Sequence, residues 1–302
     1  MIHSHNHEPA DYNRAFAFGV VLNLAYIVAE VAYGIIGDSL ALLADAGHNL
    51  SDVLSLLFAW GATYLASRKA SVRRTYGLRR STILAALLNA ILLLTAIGAV
   101  AWEAMGRFAS QNLPDGAVIV WVAGVGVLVN AGTALMFMAG RKHDLNIRGA
   151  FLHMAADAVV SLGVVISGGL VLLTGWAWLD PLTSLVIVAV IMGGTWGLFR
   201  ESLDLALDAV PAHIDPQAVE AYLRRLPGVH KIHDLHIWAM STTEVALTVH
   251  LVHPEVPLPS DIFLREVSLD LRRRFGISHA TIQMESGNEA YPCYLESAER
   301  VP

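Results

Sequence analysis

His48-Asn49-Leu50-Ser51-Asp52 sets a histidine and a carboxylate four residues apart, so that on a helix both lie on one face. The pair sits in Ser39 to Ser67, a run otherwise rich in Ala and Leu. The same spacing returns in His153-Met154-Ala155-Ala156-Asp157, again inside an apolar run. One such pair arises easily by chance and can simply hydrogen-bond to itself. In a lipid-spanning helix, however, an aspartate near the centre costs roughly 2.5–3.5 kcal/mol on insertion scales, so two copies need a reason. Two imidazoles and two carboxylates brought together from facing helices form a ligand set for a tetrahedral divalent transition metal, zinc first.

The surrounding composition supports the membrane reading. Of 302 residues, 55% are hydrophobic and 15% charged, with a mean hydropathy of +0.53. An average soluble domain carries about 25% charge. Long charge-free runs fill the first two thirds, and most charged residues follow Phe199. The expected division is a histidine-containing cytoplasmic tail over 1–14, a six-helix transmembrane domain over 15–207 and a cytoplasmic domain over 208–302. A net charge of −6 gives no sign of nucleic-acid binding, and the single Cys293 excludes an intramolecular disulfide framework. Met1 to Arg14 shows no signal-peptide pattern, so the first apolar run is expected to remain as a spanning helix. His3, His5 and His7 in that tail read equally as a loose metal-collecting tract or as incidental residues, and less well as a cloning tag.

Six apolar segments follow: Ala15 to Gly37, Ser39 to Ser67, Ser81 to Met105, Ala117 to Gly140, Gly149 to Leu179 and Leu182 to Phe199. Each approaches or exceeds the roughly 20 residues that cross a hydrocarbon core of about 30 Å. The basic residues Arg68, Lys69, Arg73, Arg74, Arg79 and Arg80 lie between the second and third segments, and Arg141, Lys142 and Arg148 between the fourth and fifth. Arg14 precedes the first and Arg200 follows the sixth, whereas the opposite loops offer Asp38, Arg107, Asp115 and Asp180. The positive-inside rule therefore places both termini in the cytoplasm, in a bacterial inner membrane by expectation.

Glu30 and Asp45 are ionisable and near mid-span. Asp45 lies three residues before His48, on nearly the same face. It reads as a partner fixing the imidazole tautomer, as part of a proton or metal access path, or as an interhelical hydrogen bonder, rather than as a fifth ligand. Asn23, Asn89 and Asn130 suit hydrogen bonds between helices, and Gly124, Gly126, Gly132, Gly163, Gly168 and Gly169 suit close helix packing.

After Pro211 the pattern becomes that of a soluble α+β unit, in the order α-β-β-α-β. Asp215-Pro216 starts a helix that Pro227-Gly228 ends. Val229 to Met240 alternates as a strand with Leu235, Ile237 and Ala239 on one side, and Val245 to His253 forms a second strand. Ser260 to Phe275 reads as a helix and Ser278 to Glu285 as the last strand.

These stretches resemble the cation diffusion facilitator family, in its bacterial and vesicular zinc-efflux branch. Gly37 to Asp52 (GDSLALLADAGHNLSD) is similar to that family's second-helix signature, and Leu84 to Asn89 to its third-helix core. His153 to Asp157 resembles its fifth-helix motif and Asp180-Pro181 the start of its sixth helix. His233 to Trp238 and His279 to Glu285 resemble its cytoplasmic domain, there of ferredoxin-like form. The resemblance implies a homodimer in the lipid bilayer that exports Zn²⁺, and also Cd²⁺ or Co²⁺, in exchange for protons by alternating access. It implies a transport site of His48, Asp52, His153 and Asp157, with Asp45 supporting. It also implies Zn²⁺ in the cytoplasmic domain on His233, His250 and Glu285, with His279 and Cys293 as further candidates. For those two and for His253 an ordinary surface or loop residue is the better reading, and His236 reads as a structural residue on its strand. A loop site known in some relatives needs Asp and His between the second and third helices, and Ser67 to Gly77 has neither.

An intramembrane metalloenzyme would need an activated water and a general base, as in His-Glu-x-x-His, and no such motif occurs. No kinase-like or DNA-binding output module is attached that would make a sensor. A secondary active transporter, not an enzyme, is the expectation.

Overall fold

Alanine, leucine, valine and isoleucine in long runs without interior proline propagate helix, and the described residues of the first two thirds of the chain form six helices. In the computed structural model these are α1 (Tyr12–Ile36), α2 (Leu40–Ala66), α3 (Ser81–Arg107), α4 (Gly116–Phe137), α5 (Leu145–Thr174) and α6 (Leu179–Ala206). The structure describes residues 12–108, 113–138, 145–254, 261–287, 293 and 295, without the side chains of 12–20, 56, 137 and 145–150. His3, His5, His7, Arg141 and Lys142, and the side chains of Arg14 and Arg148, lie outside the described residues.

Four of these helices, α3 to α6, are long and apolar enough to cross a membrane, and Val21–Ile36 of α1 is a shorter apolar helix. Helix α2 carries Asp45, His48, Asn49, Ser51 and Asp52 within its apolar run. Many large side chains, Trp60, Trp102, Trp121 and Leu173 among them, point outward and exposed, as a lipid-facing surface requires. The fifth helix stops at Thr174, short of the expected Leu179, because Gly175 takes a left-handed φ of 68° that ends it.

The chain divides into two compact units, Met1–Leu57 with Asn89–Trp196, and Phe58–Leu88 with Gly197–Pro302. In the first, Ala41, Leu42, Ala44, Ile97, Ile119, Ala123, Val164 and Ile187 form the buried core. Gly168 lets α5 approach α4, since a Cβ there would stand 2.5 Å from Ile119 Cγ2. Gly126 likewise makes room for the Tyr26 side chain. At the other four glycines expected to serve packing, Gly124, Gly132, Gly163 and Gly169, an added Cβ meets nothing within 4 Å among the described residues.

In the second unit, α7 (Pro216–Arg224) begins on Asp215, whose side chain accepts from Gln217 N at 2.9 Å, with proline in the first turn. Strands β1 (Lys231–Ala239), β2 (Val245–Val252) and β3 (Ile277–Glu285), with α8 (Asp261–Phe275) before β3, complete the unit. The sheet order is β1-β2-β3, with β1 antiparallel and β3 parallel to the central β2. Val219 and Leu223 of α7, Val267 and Leu271 of α8, and Leu247, Val249 and Leu251 of β2 share one core. Between the helices the Tyr222 hydroxyl donates to Asp270 Oδ2 at 3.3 Å. Burial and that carboxylate push the phenol up to about 12, so it remains a donor.

The expected alternation of β1 is broken. Ile232 is buried along with Ile237 and Ala239, which a regular strand would place on opposite faces. A bulge between His233 and His236 absorbs the change, with Asp234 at a φ of 51°. His236 consequently points outward, 64% exposed, with Nε2 3.0 Å from Asp234 Oδ1, and is not the packed structural residue expected.

Candidate metal centres

Helices α2 and α5 bring the two His–Asp pairs together. His48 Nε2 lies 3.4 Å from Asp157 Oδ1, and His153 Nε2 lies 3.3 Å from Asp52 Oδ2 and 3.7 Å from Asp157 Oδ2. His48 Nδ1 and Asp52 Oδ2 are 3.9 Å apart. Ligands held at about 2.0–2.2 Å around a tetrahedral ion stand roughly 3.3–3.6 Å from one another. His48, Asp52 and Asp157 can each offer one ligand atom near that spacing, and His153 stands beside both carboxylates. Ligand atoms of His48, Asp52 and Asp157 fall within 4.8 Å of one another, and the two imidazoles meet edge to face with centroids 6.3 Å apart. His48 Nδ1 and Asp52 Oδ2 are buried without a hydrogen-bond partner among the described residues.

Several bonds hold α2 in place for this. Asp180, at the start of α6, accepts from Ser39 Oγ at 2.6 Å, Leu40 N at 2.8 Å and Ala41 N at 3.3 Å. It thus caps α2 from another helix, a role that the sequence reading missed because cap and capped residues are far apart in the chain. Asn89 of α3 donates to Ser55 Oγ at 2.6 Å, and Asn23 of α1 to Met154 Sδ at 3.6 Å, whereas Asn130 Nδ2 has no partner among the described residues. Asp45 is fully buried, one turn before His48, and accepts from Ser161 of α5 at 2.9 Å. Of its three readings, the interhelical hydrogen bond is the one the structure shows.

A second cluster forms on the sheet. His233 and His250 are directly opposed across β1 and β2, with ring centroids 5.0 Å apart, and Glu285 ends the neighbouring β3. Glu285 Oε1 is 2.8 Å from His250 Nδ1 and Oε2 is 3.4 Å from His233 Nε2. Cys293 Sγ stands 3.6 Å from His250 Nδ1, and ligand atoms of all four residues lie within 4.8 Å of one another. Cys293 is therefore part of the cluster, contrary to its reading as an ordinary loop residue. Asp234 Oδ2, 3.6 Å from His250 Nε2, belongs here too and was not anticipated, because only the bulge aims it inward. Both ring nitrogens of His233 are buried without a hydrogen-bond partner among the described residues. His279 does not join, its ring standing edge-on to Tyr76 at 5.6 Å. His253 is buried against Phe263 and over Gly228, a packed residue instead of a surface one.

Comparison with known proteins agrees with this layout. Residues 17–205 match the cation efflux transmembrane domain, and residues 211–287 the cytoplasmic domain of cation efflux proteins. The chain is 36% identical to the metal cation efflux system protein CzcD of Cupriavidus metallidurans, covering 94% of this chain and 89% of that one. It is 34% identical to the zinc transporter ZitB of Escherichia coli, over 94% and 93% of the two chains. It is 32% identical to the cadmium, cobalt and zinc/H⁺-K⁺ antiporter of Bacillus subtilis, over 93% and 92%.

Proposed function

The chain belongs to the cation efflux family, a family of membrane metal transporters, and from that membership we propose that it is a proton-coupled antiporter exporting Zn²⁺ from the cytoplasm. Cd²⁺ and Co²⁺ are secondary substrates. It alternates access to one intramembrane site of His48, Asp52, His153 and Asp157. The observation that carries this reading is the convergence of those side chains from α2 and α5, each histidine lying 3.3 to 3.9 Å from both carboxylates. Bound Zn²⁺ requires neutral imidazoles and ionised carboxylates, so protons and metal compete for the same atoms. Imidazole titrates near physiological pH, which makes both histidines carriers of exchanged protons. Two carboxylates neutralise the divalent charge, and this lowers the cost of holding it among apolar helices.

In this reading α1 to α6 are six spans, residues 15–207 form the transport domain, and residues 1–14 and 208–302 lie in the cytoplasm. The protein is a homodimer of a bacterial inner membrane, assembled through the 208–302 domain, of ferredoxin-like form, and works as a secondary transporter without a catalytic residue. In that domain His233, His250, Glu285 and Cys293, with Asp234 beside them, hold further Zn²⁺. The fit is in the donor set, borderline-soft nitrogen, oxygen and sulfur, and in the unpartnered ring nitrogens of His233. Bound there, the ion supplies a crosslink between all three strands and the segment carrying Cys293.

The test is internal pH in proteoliposomes challenged with Zn²⁺, Cd²⁺, Co²⁺ and Mn²⁺. Zn²⁺ should move protons fastest and Mn²⁺ least, and a protein that binds zinc yet moves neither metal nor protons is not a transporter.

A further inference from the structure

Glu30 and Asp45 have no solvent exposure, and no metal ligand uses either of them. Their carboxyl groups adjoin: Asn49, one turn after Asp45 on α2, reaches across to Glu30, and the two carboxyls are close enough to interact directly. Donors reach three of the four oxygens. Tyr26 donates to Glu30 Oε1 at 2.7 Å, Asn49 to Glu30 Oε2 at 3.3 Å and Ser161 to Asp45 Oδ2 at 2.9 Å. The fourth, Asp45 Oδ1, has none among the described residues. With both groups ionised, the contact would set acceptor against acceptor and two negative charges side by side in a low-dielectric interior, which neighbouring carboxylates avoid by retaining a proton. A single proton between them turns the contact into a charge-assisted hydrogen bond.

We propose that Glu30 and Asp45 form a proton-binding site separate from the metal ligands, which holds one shared proton in the metal-free protein and releases it when Zn²⁺ binds one turn away. The inference rests on the transport reading and adds to it a proton that does not come from the histidines. The coupling is electrostatic. Asp45 stands within direct charge interaction of His48 on its own helix and Asp157 on α5. The other groups facing the pair are Tyr26 of α1, whose hydroxyl also reaches the Val122 carbonyl of α4 at 3.4 Å, Asn49 of α2 and Ser161 of α5. None of these three is a cation, and a divalent ion carries more positive charge than the single proton on His48 that it displaces, so its arrival favours the doubly ionised pair. Zn²⁺ arriving from the cytoplasm thus sends this proton back to the cytoplasm, and after Zn²⁺ departs outward a proton from outside takes its place.

Infrared spectroscopy and calorimetry of the purified full-length protein test this. The metal-free protein should show a protonated-carboxyl C=O band at neutral pH that falls on adding Zn²⁺. The band should vanish in Glu30→Gln and in Asp45→Asn, where an amide N–H replaces the shared proton. Protons released per Zn²⁺, read by calorimetry in buffers of different ionisation enthalpy, should fall by about one in either variant while Zn²⁺ still binds. A wild-type spectrum without that band, or a band indifferent to Zn²⁺ binding, overturns the proposal, and this arm decides even if both variants fail to fold. An unchanged proton count in folded, zinc-binding variants overturns it too. Failure of Zn²⁺ to bind the wild-type protein would instead sink the transport reading, and the metal-free band would still report whether the pair holds its proton.

Discussion

Replacing Asp180 by alanine tests how α2, and with it half of the proposed metal site, is held. The carboxylate is 1% exposed and accepts three hydrogen bonds, from the Ser39 hydroxyl and from Leu40 and Ala41 N–H. Hydrogen bonds to a charged group contribute about 1.5–3 kcal/mol each. Part of that gross value is offset because the variant no longer buries a carboxylate, a penalty of several kcal/mol in itself. Losing a side-chain cap alone costs about 0.5–2 kcal/mol, and here three buried donors are stranded. A net loss of about 3 kcal/mol is the expected outcome, roughly a hundredfold in the folding equilibrium. Asp180→Asn keeps one acceptor oxygen without the charge and should lose about half as much. Reversible unfolding in detergent measures both, and Zn²⁺ titration of the folded fraction should show affinity falling far less than stability, since the cap lies two turns from His48. Asp180→Ala within about 0.5 kcal/mol of wild type, the usual range for an inert surface change, would refute the capping argument.

Three further outcomes follow from the same structure. Asp234→Gly relieves a left-handed backbone at φ 51° and removes an oxygen beside His250, so the chelator-treated protein should gain stability by about 1 kcal/mol or less while stabilisation by Zn²⁺ shrinks. Thermal unfolding with and without chelator reads both. Leu251→Ala empties a fully buried position on the central strand and should cost about 2–5 kcal/mol by denaturant unfolding, without altering zinc binding to the intramembrane site. Affinity of the proposed His48/His153 site for Zn²⁺ should fall as pH drops, by up to a hundredfold per pH unit where both histidines are protonated. Chelator competition at stepped pH measures this, and a pH-independent affinity contradicts a site built on His48 and His153.

What was readable from residue order alone followed periodicity and chemical cost. Ionisable residues at helical spacing within apolar runs singled out His48, Asp52, His153 and Asp157, because each carries a penalty that chance does not explain. Helix and strand positions were legible where Pro216, Gly276 or alternating valines marked them. Features set by distant parts of the chain were not. Asp180 looks like the first turn of its own helix, and nothing local indicates that it caps α2. Asp234 reads as one more residue of an alternating strand until the bulge turns it toward His250, and that bulge also moved His236 outward. Cys293 lies eight residues beyond Glu285, and no spacing rule relates a residue past the last strand to a pair of histidines across β1 and β2.

The central claim is that the four converging side chains bind the metal that crosses the membrane and pass protons the other way. Zinc-driven proton flux in proteoliposomes tests it most directly, with wild-type protein beside His48→Ala, Asp52→Ala, His153→Ala and Asp157→Ala. The account predicts flux in the wild type and its loss in His48→Ala and Asp157→Ala, with the other two severely impaired. Wild-type rates in folded His48→Ala or Asp157→Ala protein would contradict it.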